Sequence, residues 1–159
     1  MHPAVREAVV SDVEAIHALV RELAEYERSA DSVRSGPEDL MAALFGPQPA
    51  AYALVVEAGG AVVGFALYFL NYSTWTGVHG IYLEDLFVRP GHRGSGLGKA
   101  LLLALAELAV ARGYGRLEWS VLDWNQPAID FYRRVGAVAM DEWTVYRLAG
   151  DALTAAAAS

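Results

Sequence analysis

The run Arg93-Gly94-Ser95-Gly96-Leu97-Gly98-Lys99 constrains this chain more than any other stretch, because it joins two patterns of different period. Before it, Val78 to Val88 reads as a long apolar strand stopped by Pro90. After it, Leu97, Leu101, Leu105 and Leu108 share one face of a helix that Gly113 terminates. Glycines at such a turn let the backbone approach a ligand closely, and the unpaired amides of a helix start attract an anion. A phosphate or pyrophosphate is the natural guest. Two familiar phosphate loops do not fit. The pattern G-x-G-x-x-G, counted from Gly94, meets Lys99 where its third glycine belongs, and G-x-x-x-x-G-K-[ST] meets Arg93 and Ala100 at its two ends. The pattern R-x-x-G-x-G does fit.

The rest of the chain alternates in a way that suits one mixed sheet. Val5 to Val10 reads as a strand, and Ser11 with Glu14 forms a capping box opening a helix that runs through Ile16, Leu19, Val20 and Leu23 to about Glu27. A shorter helix follows Pro37 and ends at Phe45 before Gly46-Pro47. Strands over Tyr52 to Glu57 and Val62 to Leu70, joined at Gly59-Gly60, predict a hairpin. Asn71 to Gly77 reads as a loop. Leu117 to Leu122 is strand-like, Pro127 suits the first turn of a helix over Ala128 to Val135, and Val138 to Leu148 reads as one or two closing strands. The expected class is α/β (α+β), with a central mixed, mostly antiparallel sheet flanked by helices. One domain is expected over residues 1–150, followed by a poorly ordered alanine-rich tail over 151–159.

Composition narrows the partners. With 12 basic against 19 acidic residues the net charge is -7, so nucleic acid is not an expected partner, and the acidic balance serves either solubility alone or the attraction of cationic ligands. Asp12 and Glu14 interrupt the first twenty residues, which predicts neither a signal peptide nor a membrane span. There is no cysteine, hence no thiolate metal site, and a cytoplasmic location is expected. His2, His17, His79 and His92 have no metal-ligand spacing, and no metal is expected.

The R-x-x-G-x-G loop resembles the pyrophosphate-binding motif of the GNAT superfamily of acetyltransferases, and the resemblance covers about residues 4–148. Arg21 to Glu27, Tyr72-Ser73-Thr74-Trp75, Ile81 to Asp85, Val121 to Gln126 and Phe131-Tyr132 resemble, in order, the branch of polyamine and thialysine N-acetyltransferases. The Tyr-Ser-Thr-Trp and Leu-Asp-Trp-Asn-Gln segments lie closer to the thialysine type. The resemblance implies an acetyl-coenzyme A-dependent transfer to a primary amine of a small cationic molecule, by direct attack in a ternary complex, and a homodimer. The same chemistry on an aminoglycoside or protein amine, or an acyl-coenzyme A sensor without turnover, are the alternatives.

That chemistry needs a base or water relay for an ammonium of pKa about 10.4, donors for the thioester oxygen, and an acid for the departing thiolate. By resemblance Tyr132 is the acid and Glu84 the substrate-side carboxylate, which holds the ammonium and takes its proton directly or through water. Strand alternation places Glu84 and Asp85 on opposite faces and leaves Asp85 a structural role. Tyr26 and Glu27 would bind the distal part of the substrate. Ser73, Thr74 and Trp75 would line its channel together with Leu122 and Asp123. For the cofactor, the backbone of Leu86, Phe87 and Val88 would pair with the pantetheine arm as an added strand. The amides of Gly94, Ser95, Gly96, Leu97, Gly98 and Lys99 would hold the pyrophosphate, with Arg93 adding charge. Asn125, Gln126, Pro127 and Ala128 would contact the distal pantetheine or nucleotide.

Overall fold

The computed structural model describes residues 1–159, which divide into two compact units, Met1–Ser120 and Val121–Ser159. The first unit contains β1 (Val5–Glu7), α1 (Val13–Tyr26), α2 (Pro37–Phe45), β2 (Tyr52–Ala58), β3 (Ala61–Ser73), β4 (Val78–Val88), α3 (Leu97–Ala111) and β5 (Leu117–Glu118). The strands form one sheet in the order β1-β2-β3-β4-β5, antiparallel except for the parallel β4–β5 pair. A mixed, mostly antiparallel sheet flanked by helices is therefore present.

Period-two burial explains the layers. Val55 and Phe65 face α1 and α2, in a core with Ile16, Leu19, Leu23, Leu44 and Phe87. Their neighbours Leu54 and Ala66 take the other face, where α3 brings Leu101, Leu102 and Leu105. Each fully buried residue of this size contributes about 1.5–3 kcal/mol. The hairpin of β3 and β4 is longer than expected, since the ladder continues to Ser73↔Val78 and takes Asn71 to Ser73 out of the loop.

The start of α1 differs from the expected capping box. The strand stops at Glu7, a short 3-10 turn spans Val10–Asp12, and the Val9 amide donates to Asp12 Oδ2 at 2.8 Å. Arg6 grips the same carboxylate with both terminal nitrogens, at 2.7 and 3.0 Å, and donates through Nε to Glu57 at 3.0 Å. A charge-assisted, bidentate carboxylate outcompetes the Ser11 hydroxyl for this turn.

The second unit contains α4 (Gln126–Arg134) and α5 (Gly150–Ala157). The strand expected over Leu117 to Leu122 is confined to Leu117–Glu118, and no strand forms over Val138 to Leu148. There Val138, Val145 and Tyr146 are 81%, 82% and 93% exposed. A period-two pattern becomes a strand only when a neighbour supplies the ladder, and these residues have none. The tail, expected to be poorly ordered, is helical from Gly150 to Ala157 with every residue exposed, as high alanine propensity allows. No helix is long and apolar enough to cross a membrane.

Candidate active site

The register of β3 against β4 shifts at one place, and that place holds the candidate carboxylates. Leu67 pairs with Asp85 and Tyr68 with Leu83, so Glu84 is the extra residue of a β-bulge. Phe65–Phe87 and Leu67–Asp85 share the face turned to α1, while Tyr68–Leu83 share the other. Glu84, one residue from Leu83, thus falls on the α1 side together with Asp85. The expectation that the two acids take opposite faces is overturned: alternation fails at a bulge.

Glu27 caps the C-terminus of α1 on that side. Burial raises its carboxyl above the usual carboxylate range, and the charge of Glu84 adds to the effect. Asp85 is pushed up to about 6, first by burial and then by Glu84 and Glu27. None of the three forms an ion pair. Three acids with no cation among them make a site that attracts an ammonium and can take its proton. Asp85, assigned above to structure, belongs to this group. Its adjacency to Glu84 was visible in the sequence, but no glycine or proline marks the bulge that turns it.

β4 has one satisfied edge and one open edge. Along β3 it is paired from Val78 to Val88, but along β5 only Ile81 and Tyr82 are paired. The edge of Leu86, Phe87 and Val88 away from β3 thus has no partner strand, which suits a guest that binds as a strand. Beyond it Gly94 and Gly96 adopt φ of 80° and 82°, a region that disfavours side chains, and α3 starts without a side-chain cap. The orphan amides of its first turn, Leu97, Gly98 and Lys99, continue the glycine loop. Within the loop the Ser95 hydroxyl donates to the His92 carbonyl.

Arg93 has partners within the protein. Its Nε donates to the Val88 carbonyl at 3.0 Å, and Cζ lies 4.8 Å from the Tyr26 ring centroid and 5.4 Å from that of Phe87. Four residues earlier, Arg89 makes a two-pronged pair with Glu22, at 3.1 and 3.0 Å, one helical turn before Tyr26. Side chains from residues 89 and 93 therefore grip α1 at two successive turns.

The family model described as Acetyltransferase (GNAT) family matches residues 15–137. This chain belongs to the GNAT acetyltransferase family. Thialysine N-epsilon-acetyltransferase of Bos taurus is 41% identical over 94% of this chain and 94% of its own length. An L-ornithine N5-acetyltransferase of Arabidopsis thaliana is 50% identical over 59% of this chain and 41% of its own length. Among solved structures, an integron cassette protein from the mobile metagenome of V. cholerae superposes with TM-score 0.81 at 26% identity, over 98% of this chain and 97% of that one.

Other residues expected in the site of this GNAT N-acetyltransferase take the following places. Ser73 ends β3, and Thr74 and Trp75 lie in the turn beyond its last ladder pair, where Trp75 is 90% exposed. In the second unit, Asn125 is buried and caps α4, its Oδ1 accepting from the Ala128 amide at 3.4 Å. Gln126 turns to Asp130 at 2.7 Å, Pro127 occupies the first turn of α4, and Leu122 and Asp123 are exposed. Tyr132 is partly buried on α4 beside Phe131, with ring centroids 5.4 Å apart.

Proposed function

We propose that this GNAT N-acetyltransferase moves the acetyl group of acetyl-coenzyme A to a primary amine of a small cationic molecule: thialysine, a lysine-like amino acid or a polyamine. The observation that carries the reading is the group of Glu27, Glu84 and Asp85, brought to one side of the sheet by the bulge with no cation of the protein among them. The full-length likeness to an enzyme named for thialysine supports the same acceptor class. An aminoglycoside or protein acceptor has no observation of comparable weight.

In this reading the open edge of Leu86, Phe87 and Val88 binds the pantetheine arm, and the amides of Gly94 through Lys99 hold the pyrophosphate. Acetyl-coenzyme A supplies an activated thioester carbonyl. Glu84 and Asp85 hold the ammonium and accept one of its protons, directly or through water, which frees the nitrogen lone pair. The new C–N bond forms as the C–S bond breaks, Tyr132 supplies the proton that the departing thiolate takes, and the surplus proton of the acylated nitrogen leaves to water, from which Tyr132 is reprotonated. The chain has no cysteine, so direct attack is preferred to a route through an acylated thiol. Tyr26 and Glu27 meet the far end of the acceptor. Exposure of Trp75 at the hairpin tip agrees with a homodimer that covers it, which light scattering tests.

A thiol-release assay with thialysine, lysine, ornithine, spermidine, putrescine and an aminoglycoside tests the acceptor. Turnover of thialysine or spermidine well above thioester hydrolysis is expected. Silence across the panel with intact acetyl-coenzyme A binding would overturn the small-amine reading and favour a protein acceptor or a sensor.

A further inference from the structure

We propose that Arg93 is a positioning residue for the acceptor-binding end of α1 and not a ligand of the cofactor phosphates. Three contacts use its side chain inside the protein: the Val88 carbonyl on Nε, and the Tyr26 and Phe87 rings near the guanidinium. Nε is committed to the carbonyl and the guanidinium lies against both rings, so the side chain is already engaged within the protein. A planar, delocalised cation is well matched to this role, since it lies against an aromatic ring while donating in its own plane.

The neighbouring contact points the same way. Arg89 holds Glu22 and Arg93 holds Tyr26, and residues 22 and 26 share one face of α1 at a spacing of one turn. The segment leaving β4 is thus a two-point clamp on the C-terminal half of that helix. Tyr26 is followed directly by Glu27, whose carboxyl feels the charge of Glu84. On the chain's other side Arg93 runs straight into Gly94 and the loop that opens α3. One side chain therefore joins the glycine loop to the acidic site. Anions at the loop are left to the backbone amides, and the orientation of Tyr26 and Glu27 depends on Arg93.

This inference rests on the reading of Tyr26 and Glu27 as acceptor-binding residues, and the test separates the two. Arg93→Gln, Arg93→Lys, Tyr26→Leu and the Arg93→Gln/Tyr26→Leu double variant are compared with the wild-type chain. Calorimetry gives the affinity for coenzyme A and for pantetheine, which lacks the pyrophosphate. Steady-state kinetics at saturating acetyl-coenzyme A use the best amine of the panel. For Arg93→Gln the expected result is an amine KM raised about 10-fold, with kcat and the coenzyme A affinity within about 3-fold of wild type. Arg93→Lys keeps a cation near the ring and recovers part of the KM. The double variant is no worse than Tyr26→Leu alone.

Loss of coenzyme A affinity by more than about 10-fold with pantetheine binding intact would make Arg93 a phosphate ligand and overturn the proposal. An unchanged amine KM, equal losses for all three ligands, or additive effects in the double variant overturn it as well. If the wild-type chain acetylates no amine, the functional reading fails by itself. The coenzyme A and pantetheine pair still decides the role of Arg93, because it needs no acceptor.

Discussion

Asp12 and Asp85 are both sheltered aspartates, yet their carboxyls move in opposite directions. Asp12 is held below the usual range, chiefly by its hydrogen bonds from Arg6, against the opposing effect of burial. Asp85 rises to about 6, because burial acts there with Glu84 and Glu27 and no guanidinium answers them. The difference is one cation. Where the chain supplies it, as at Asp12 and Glu57, the carboxylates pin β1 and the start of α1 to the sheet. Where the chain withholds it, the carboxyls stay unbalanced within the protein, which in the proposed reading leaves them for an ammonium. A stabilising cluster and a binding cluster can thus be told apart by whether their charge is balanced within the protein.

The sharpest way to break this contrast is to remove one acid from the unbalanced group. Glu84→Gln is expected to lower kcat/KM by about 100- to 1000-fold on the preferred amine, the scale of a lost proton acceptor, without lowering the melting temperature. An activity within a few-fold of wild type would return Glu84 to a surface role. Asp12→Asn should do the reverse. It keeps activity per folded molecule and costs about 2 kcal/mol in urea denaturation, the scale of a charged hydrogen-bonded pair.

A smaller effect concerns pH. The folded-state pKa of Asp85 lies above its unfolded value of about 3.9, so the native state binds more protons and stability falls as pH rises between about 4 and 6. Asp85→Asn should therefore stabilise the chain by about 1 kcal/mol at pH 8, with the gain gone by about pH 4. The folded pKa of Asp12 is depressed, so its contribution is present above about pH 4 and is lost as pH falls further. Opposite slopes in the two stability profiles sharpen the comparison, and parallel slopes end it. Least in size, thialysine or spermidine at a concentration near its Kd should stabilise the wild-type chain by about 0.4 kcal/mol. That raises the melting temperature by about 1–2 °C. The Glu84→Gln/Asp85→Asn double variant should show no such shift.

Local pattern explains which parts were legible in the sequence. α2, the β2–β3–β4 meander and α3 lie close to their expected bounds, because each combines a clear period with glycine or proline punctuation and its partners are close in sequence. The loop at Gly94 and Gly96 was legible for the same reason. Features that depend on cross-strand register or on competition between side chains were not. The bulge at Glu84 follows from how β3 and β4 align, Asp12 displaces Ser11 through a residue of another element, and Arg93 turns toward rings from α1 and β4. Val138 to Leu148 has the composition of strands but no ladder to join.

The open edge of β4 has a consequence for how such an enzyme can diversify. If the pantetheine arm is read by main-chain groups at Leu86, Phe87 and Val88, every residue except proline offers it the same donors and acceptors. Side chains there answer to packing within the protein, where Phe87 and Val88 are buried and Phe87 lies against Arg93. In the proposed reading acceptor preference resides instead in side chains at Tyr26, Glu27, Glu84 and Asp85. Mutation can then explore new amines without disturbing cofactor recognition, so a single acetyl-donor platform can serve a lineage of acceptors.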